Sequence, residues 1–154
     1  MHSLYEIETV VKRVARYQGL SWGIAEEAGK AVRALEQSAL PGLESFDRLI
    51  RFPYKKCVRE INHKEKNQKY LCPIHFGLFF LDQSHKSENQ LTFEFLNIQE
   101  PLLIIPFLIK TAQKNLISFD FKSTEFKFFI SSGKIISLDR NNIPHQSNDI
   151  SLEI

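Results

Sequence analysis

The sequence predicts an α+β fold, with helices at about 3–17, 21–39 and 42–51 packed on a mainly antiparallel sheet from the C-terminal half. Three observations predict it. Apolar residues recur at spacings of three and four up to residue 51, the period of a helix with one buried face. After residue 90 the phenylalanines alternate along the chain, the period of a half-buried strand. The two patterns are segregated rather than interleaved, which separates an α+β order from a βαβ one. At 154 residues a single domain can bury its core unaided. It is expected over 1–138, with a polar tail at 139–154 that ends in a short strand.

Ser3 and Glu6 have capping-box spacing, each able to satisfy a backbone N–H of the other. Leu4, Ile7, Val10, Val11 and Val14 then form an apolar stripe, and Gly19 stops the first helix. Ser21 caps the second, which runs to the Pro41-Gly42 stop with Ile24, Ala28, Val32, Leu35 and Ala39 on one face. Glu26, Lys30, Arg33 and Gln37 form a ladder on the solvated side, and Gly23, Glu27, Ala31 and Ala34 a third strip between the two. Gly23 and Gly29 each cost a helix about 0.8–1 kcal/mol relative to Ala, and close contact is the simplest reason to keep them. A third helix over 42–51 turns Leu43, Phe46, Leu49 and Ile50 inward.

The segment from Arg51 to Tyr70 holds seven Lys or Arg against two Glu and reads as a long surface loop. Leu71 to Asp82 (LCPIHFGLFFLD) returns to the core as either a buried strand or a short helix, which periodicity alone cannot separate. Leu91 to Ile98 alternates as a strand. Pro101 to Ile105 reads as another buried strand or an apolar turn. Pro106 suits the first position of a helix to about Asn115, where its missing N–H costs nothing. Strands are expected at 116–122, 126–131 and 134–138, the last two joined as a hairpin through Ser132-Gly133, and a final one at 149–154.

A net charge of +2 is too small to call for nucleic acid or an anionic membrane. The most apolar run, Pro101 to Ile109, is far shorter than the roughly 20 residues of a membrane span, and the N-terminus lacks the apolar core of a signal peptide. Two cysteines, Cys57 and Cys72, make no disulfide framework. A soluble, cytoplasmic protein is expected, with no cofactor or metal.

Four candidate sites emerge. Cys72 and His75, three apart, could ligate a metal with His63 or His85, or act as nucleophile and base; the plainer reading is a buried structural Cys beside a loop His. Glu27, beside Gly23 and Ala31, is either a desolvated acid with a raised pKa or a helix-edge Glu paired with a base. Trp22, the only Trp, is either a ligand-site residue or a core residue covering the helix entrance. Lys55, Lys56, Arg59, Lys64 and Lys66, flanked by Tyr54 and Tyr70, could meet an acidic partner or phosphates, or simply be solvated.

The segment Gly19 to Gly42, GLSWGIAEEAGKAVRALEQSALPG, resembles the opening of an uncharacterised proteobacterial family, a domain of unknown function. Its members carry G-L-x-W-G-x-A-E-E-A-G-K/R-A-x-R after a short helix, then an L-P-G stop. The resemblance continues at Cys72-Pro73-Ile74 with Gly77 and at Pro101 to Phe107. It implies no activity. Ala31 to Leu49 is also similar to the helical entry of the malate/L-lactate dehydrogenase-like family, but Phe46 stands where that family's catalytic His falls, so no role carries over.

The expectation is a small binding or accessory protein whose partner, a protein or a small molecule, contacts the central helix through Trp22 and Glu27. A small enzyme or metal-assisted hydrolase using Cys72, His75 and Glu27 is the alternative. Nucleic-acid or acidic-partner binding through the basic loop 55–69 is the second.

Overall fold

Local capping and apolar spacing carry the first third of the chain directly into three helices. The computed structural model describes residues 3–52, 72–82, 92–95, 98–123, 127–131, 134–138, 146–147 and 150–153. Helix α1 (Leu4–Tyr17) opens on the expected capping box: the Ser3 hydroxyl accepts from the Glu6 N–H at 3.2 Å, and the Glu6 carboxylate accepts from the Ser3 N–H at 2.7 Å. Ile7, Val11 and Ala15 are buried and Leu4 and Val14 lie against the core. Val10, expected on that stripe, is 54% exposed, because 100° of helix rotation separates it from Val11 and takes it past the narrow seam.

Helix α2 (Trp22–Gln37) is capped by Ser21, whose hydroxyl accepts from the Ile24 N–H. Its seam with α1 is narrow because the residues there are small. A Cβ at Gly29 would sit 2.8 Å from the Glu8 carbonyl oxygen, so this glycine is required by close approach. Gly23, expected to share that role, has nothing within 4 Å of its Cβ position. Ala25, Ala28, Ala31, Val32 and Leu35 are buried and Ile24 is half-buried. Ala39 falls outside the helix and is exposed, in the left-handed region at φ 56°.

Helix α3 (Gly42–Arg51) buries Phe46 and Leu49, with Leu43 and Ile50 packed at the margin. The ambiguous Cys72 segment is a helix, α4 (Pro73–Asp82), with Pro73 in its first turn and the Phe76 N–H donating to the Cys72 carbonyl. Gly77 lets it rest on Phe107, whose ring atoms would lie 2.4 Å from an added Cβ. Instead of a strand, Pro101–Ile104 forms a 3-10 helix that runs into helix α5 (Ile105–Asn115), with Pro106 in the first turn. Every residue from Pro101 to Leu108 is buried, and a segment apolar on all sides suits the middle of a protein rather than one face of a sheet.

Among the described residues there are seven strands, paired antiparallel as expected: β1 (Thr92–Phe95), β2 (Ile98–Gln99), β3 (Phe119–Ser123), β4 (Lys127–Ser131), β5 (Lys134–Leu138), β6 (Gln146–Ser147), which falls in the stretch read from sequence as polar tail, and β7 (Ile150–Glu153). Five make one sheet in the order β1-β7-β3-β4-β5, and β2 pairs with β6. The β4–β5 hairpin is present, with a register irregularity at Phe129/Ile130. Phe119, Phe121, Phe128 and Ile130 face the core, and Phe121 and Phe128 stack at 4.5 Å across the β3–β4 pair. The result is α+β, with α4 and α5 as the middle layer: α2 contacts both, and α5 contacts β4. Edge-on contacts from Phe80 to Phe76 and Phe119 tie that layer to the sheet. Among the described residues no helix is long and apolar enough to cross a membrane.

Candidate functional site

The turn from α1 into α2 decides which side chains face outward. Gly19, at φ 89°, lets the Leu20 N–H reach back to the Ala15 carbonyl and the Gly19 N–H to the Arg16 carbonyl. This is the six-to-one and five-to-two pattern of a Schellman stop. Leu20 is thereby turned into the core, at 5% exposed. Trp22, two residues later and first in α2, is left 69% exposed. Leu20 therefore fills the entrance-covering role that sequence reasoning offered Trp22.

The guanidinium of Arg16 lies over the Trp22 ring, 4.6 Å from its centroid, and donates to the Leu20 carbonyl. The hydrogen bond fixes the cation, and the ring's negative face attracts it. One turn away on α1, Arg13 is exposed between Val10 and Tyr17, and Tyr17 is 90% exposed. Lys12 completes a basic strip. Among the described residues Lys12, Arg13 and Arg16 make no ion pair with a carboxylate. The nearby acids are engaged elsewhere: Glu6 in the capping box and Glu8 with Arg33 at 2.9 Å.

Glu27 belongs to a different cluster. Its two carboxylate oxygens accept from Lys30 at 2.8 Å and from Lys110 of α5 at 2.9 Å, while Lys30 also meets Glu26 at 3.2 Å. Burial alone would push the carboxyl up, but the hydrogen bonds and charges of the two lysines outweigh it and hold the group below its ordinary value. The raised pKa considered from sequence is thus corrected. What was expected as a purely solvated ladder on α2 is in part this clamp.

A mostly apolar cleft of about 400 Å³, open solvent included, lies between the α1–α2 turn, α3 and the start of α4. Gln18, Leu20, Phe46, Leu49, Phe52 and Cys72 are among its lining residues. Cys72 is only 3% exposed. His75 is on α4 rather than in a loop, half-buried, and its buried Nδ1 has no hydrogen-bond partner among the described residues. Neither His75 nor Glu27 lines the cleft. Among the described residues no hydrogen bond joins any two of Cys72, His75 and Glu27: the Glu27 oxygens accept from Lys30 and Lys110, and the buried Nδ1 of His75 has no partner. Among the described residues no three His, Cys, Asp or Glu group as a metal site would require. Lys55, Lys56, Arg59, Lys64 and Lys66, with Cys57, His63 and His85, lie outside the described residues.

One charged cluster escaped sequence reasoning. Glu100, in the left-handed region at φ 48°, has a side chain 4% exposed, and Arg48 of α3 donates to both its oxygens, Nε at 2.8 Å and Nη2 at 3.3 Å. Arg48 also reaches Glu44 at 2.6 Å. The bond ties the 3-10 helix to α3, and a buried carboxylate needs such a partner. The only trace in the sequence is an acid set immediately before the apolar run PLLIIPF.

Comparison with curated proteins and with solved structures returns no match. Residues 2–89 do match a protein family, and the matched stretch takes in α1 to α4, including Trp22, Glu27 and Cys72. The chain belongs to that family, described as protein of unknown function, DUF3726.

Proposed function

We propose that this chain is a binding or accessory protein of the bacterial cytoplasm, and that a partner protein docks where α1 turns into α2. The observation that supports this reading is a lone tryptophan left 69% exposed with Arg16 stacked on it. Burying such a ring would be worth a few kcal/mol, and the fold itself does not collect that gain. Trp, Tyr and Arg are the residues most enriched among those that dominate binding energy at protein interfaces. The catalytic alternative through Cys72, His75 and Glu27 has less to support it, because those groups share no hydrogen bond.

The reading is tested by comparing the native chain with Trp22→Ala as bait in a bacterial extract. At least one protein retained by the native chain should fall about tenfold on the variant, the loss expected when an interface anchor worth over 1 kcal/mol is truncated. Circular dichroism and the unfolding midpoint should stay the same, since the ring contributes little to the core. Identical capture by the two chains would refute the reading.

A further inference from the structure

We infer that the segment docking on this surface is acidic, presenting Asp or Glu interleaved with apolar side chains. The inference rests on the partner-binding reading above and names the chemistry of the partner. It comes from a contrast between helices. In α2 and α3 every cation has a carboxylate: Lys30 with Glu26 and Glu27, Arg33 with Glu8, Arg48 with Glu44 and Glu100, Arg51 with Asp47. In α1 none of Lys12, Arg13 and Arg16 has one among the described residues. The acids that could have served them are committed, Glu6 to the helix cap and Glu8 across the seam to Arg33. The unmatched positive charge therefore lies on the same strip as the exposed rings.

Spacing gives the surface its pattern. Val10, Arg13 and Tyr17 follow one another at steps of three and four, so they share one face of α1. Arg16 lies one turn from Arg13 and carries the strip across to Trp22 of α2. From Val10 to Tyr17 the strip is about 10 Å long at 1.5 Å per residue, the length of two turns of a partner helix. Guanidinium groups bind carboxylates in fork geometry, and Val10, Tyr17 and the free edge of Trp22 offer apolar contacts between them. Three cations broken up by apolar side chains make a poor track for a phosphate backbone, where affinity grows with the number of charges neutralised. An acidic amphipathic peptide fits this alternation better than a nucleic acid does.

The test is selection from a random dodecapeptide display library on the native chain, with binders to Trp22→Ala removed. The expected outcome is enrichment of peptides of net negative charge carrying at least one large apolar residue. A synthetic copy of the top peptide should bind with a shift in the emission of Trp22, the sole tryptophan, and should weaken as salt rises. Arg13→Glu should lower its affinity about tenfold, and a peptide with Lys in place of its acids should recover binding to that variant. Enrichment of Trp22-dependent peptides that are neutral or basic would overturn the acidic assignment while leaving the docking surface in place. Absence of any Trp22-dependent peptide would remove both. A single-stranded oligonucleotide that binds more tightly than every selected peptide, and is lost in both variants, would overturn the assignment in favour of nucleic acid.

Discussion

Glu27 shows how one carboxylate can be read two ways until its partners are known. Held by Lys30 and Lys110, it titrates below its ordinary value of 4.5 in the folded chain. A depressed carboxyl contributes stability that is fully present above the unfolded value and is lost as pH falls through the folded one. Glu27→Gln should therefore cost about 1 kcal/mol at pH 7, the upper end for exposed pairs because the group is partly sheltered. The gap should close at pH values below the folded pKa. Urea midpoints of the native chain and the variant, measured at neutral and strongly acidic pH, check this; an unchanged gap in acid would contradict it. Helical spacing from sequence placed Glu27 correctly between the buried and solvated faces, and paired it in principle with a base. It could not identify Lys110, which is 83 residues away and approaches only because α5 packs on α2. The core reading of Trp22 failed for a related reason, since its exposure is set by the way Leu20 is turned inward.

At the scale of elements, the helix ends separate what is locally encoded from what is not. Gly19 marks the end of α1 because glycine takes a positive φ without steric cost. The same hydrogen-bond pattern ends α2: Leu40 N–H donates to the Leu35 carbonyl and Ala39 N–H to the Glu36 carbonyl, with Ala39 at φ 56°. Alanine is the best helix former, so the sequence carried α2 on to residue 39 toward the Pro41-Gly42 signal, whereas the helix ends at Gln37. Left-handed geometry costs an L-residue roughly 1–2 kcal/mol, part of which glycine gives back as unfolded-chain entropy. Ala39→Gly should consequently raise stability by about 0.5–1 kcal/mol, and Gly19→Ala should lower it by about 1 kcal/mol. Denaturant midpoints with unchanged slopes would register both; a destabilised Ala39→Gly would mean that the strain is relieved some other way. The same lesson explains α4 and the 3-10 segment. Their apolar runs fit strand and helix equally until Gly77 and Phe107 are seen face to face.

At the scale of the whole molecule, the last strand holds a position its composition does not advertise. From Asp139 onward the chain is polar, and local alternation supports only a short terminal strand. In the sheet that strand is β7, internal, pairing Leu152 with Phe93 of β1 on one side and with Phe121 of β3 on the other. Pairing between segments so far apart is a property of topology, which no local pattern encodes. Removal of residues 150–154 would strip β1 of the strand it pairs with in the sheet and leave β3 with an unpaired edge beside the stacked Phe121 and Phe128. Eight register pairs, four on each side, are lost together. A loss of several kcal/mol is expected, which for a chain of this size lowers the melting midpoint by on the order of 10 °C. The α1–α2 seam and its α4–α5 support contain no part of β7, so the truncated chain should keep much of its helical signal while its unfolding broadens. A truncated chain that melts as sharply and as high as the full one would show that the sheet stands without its last strand. A broadened, lower transition that preserves peptide-induced emission of Trp22 would place the docking surface and the sheet in separable parts of the same fold.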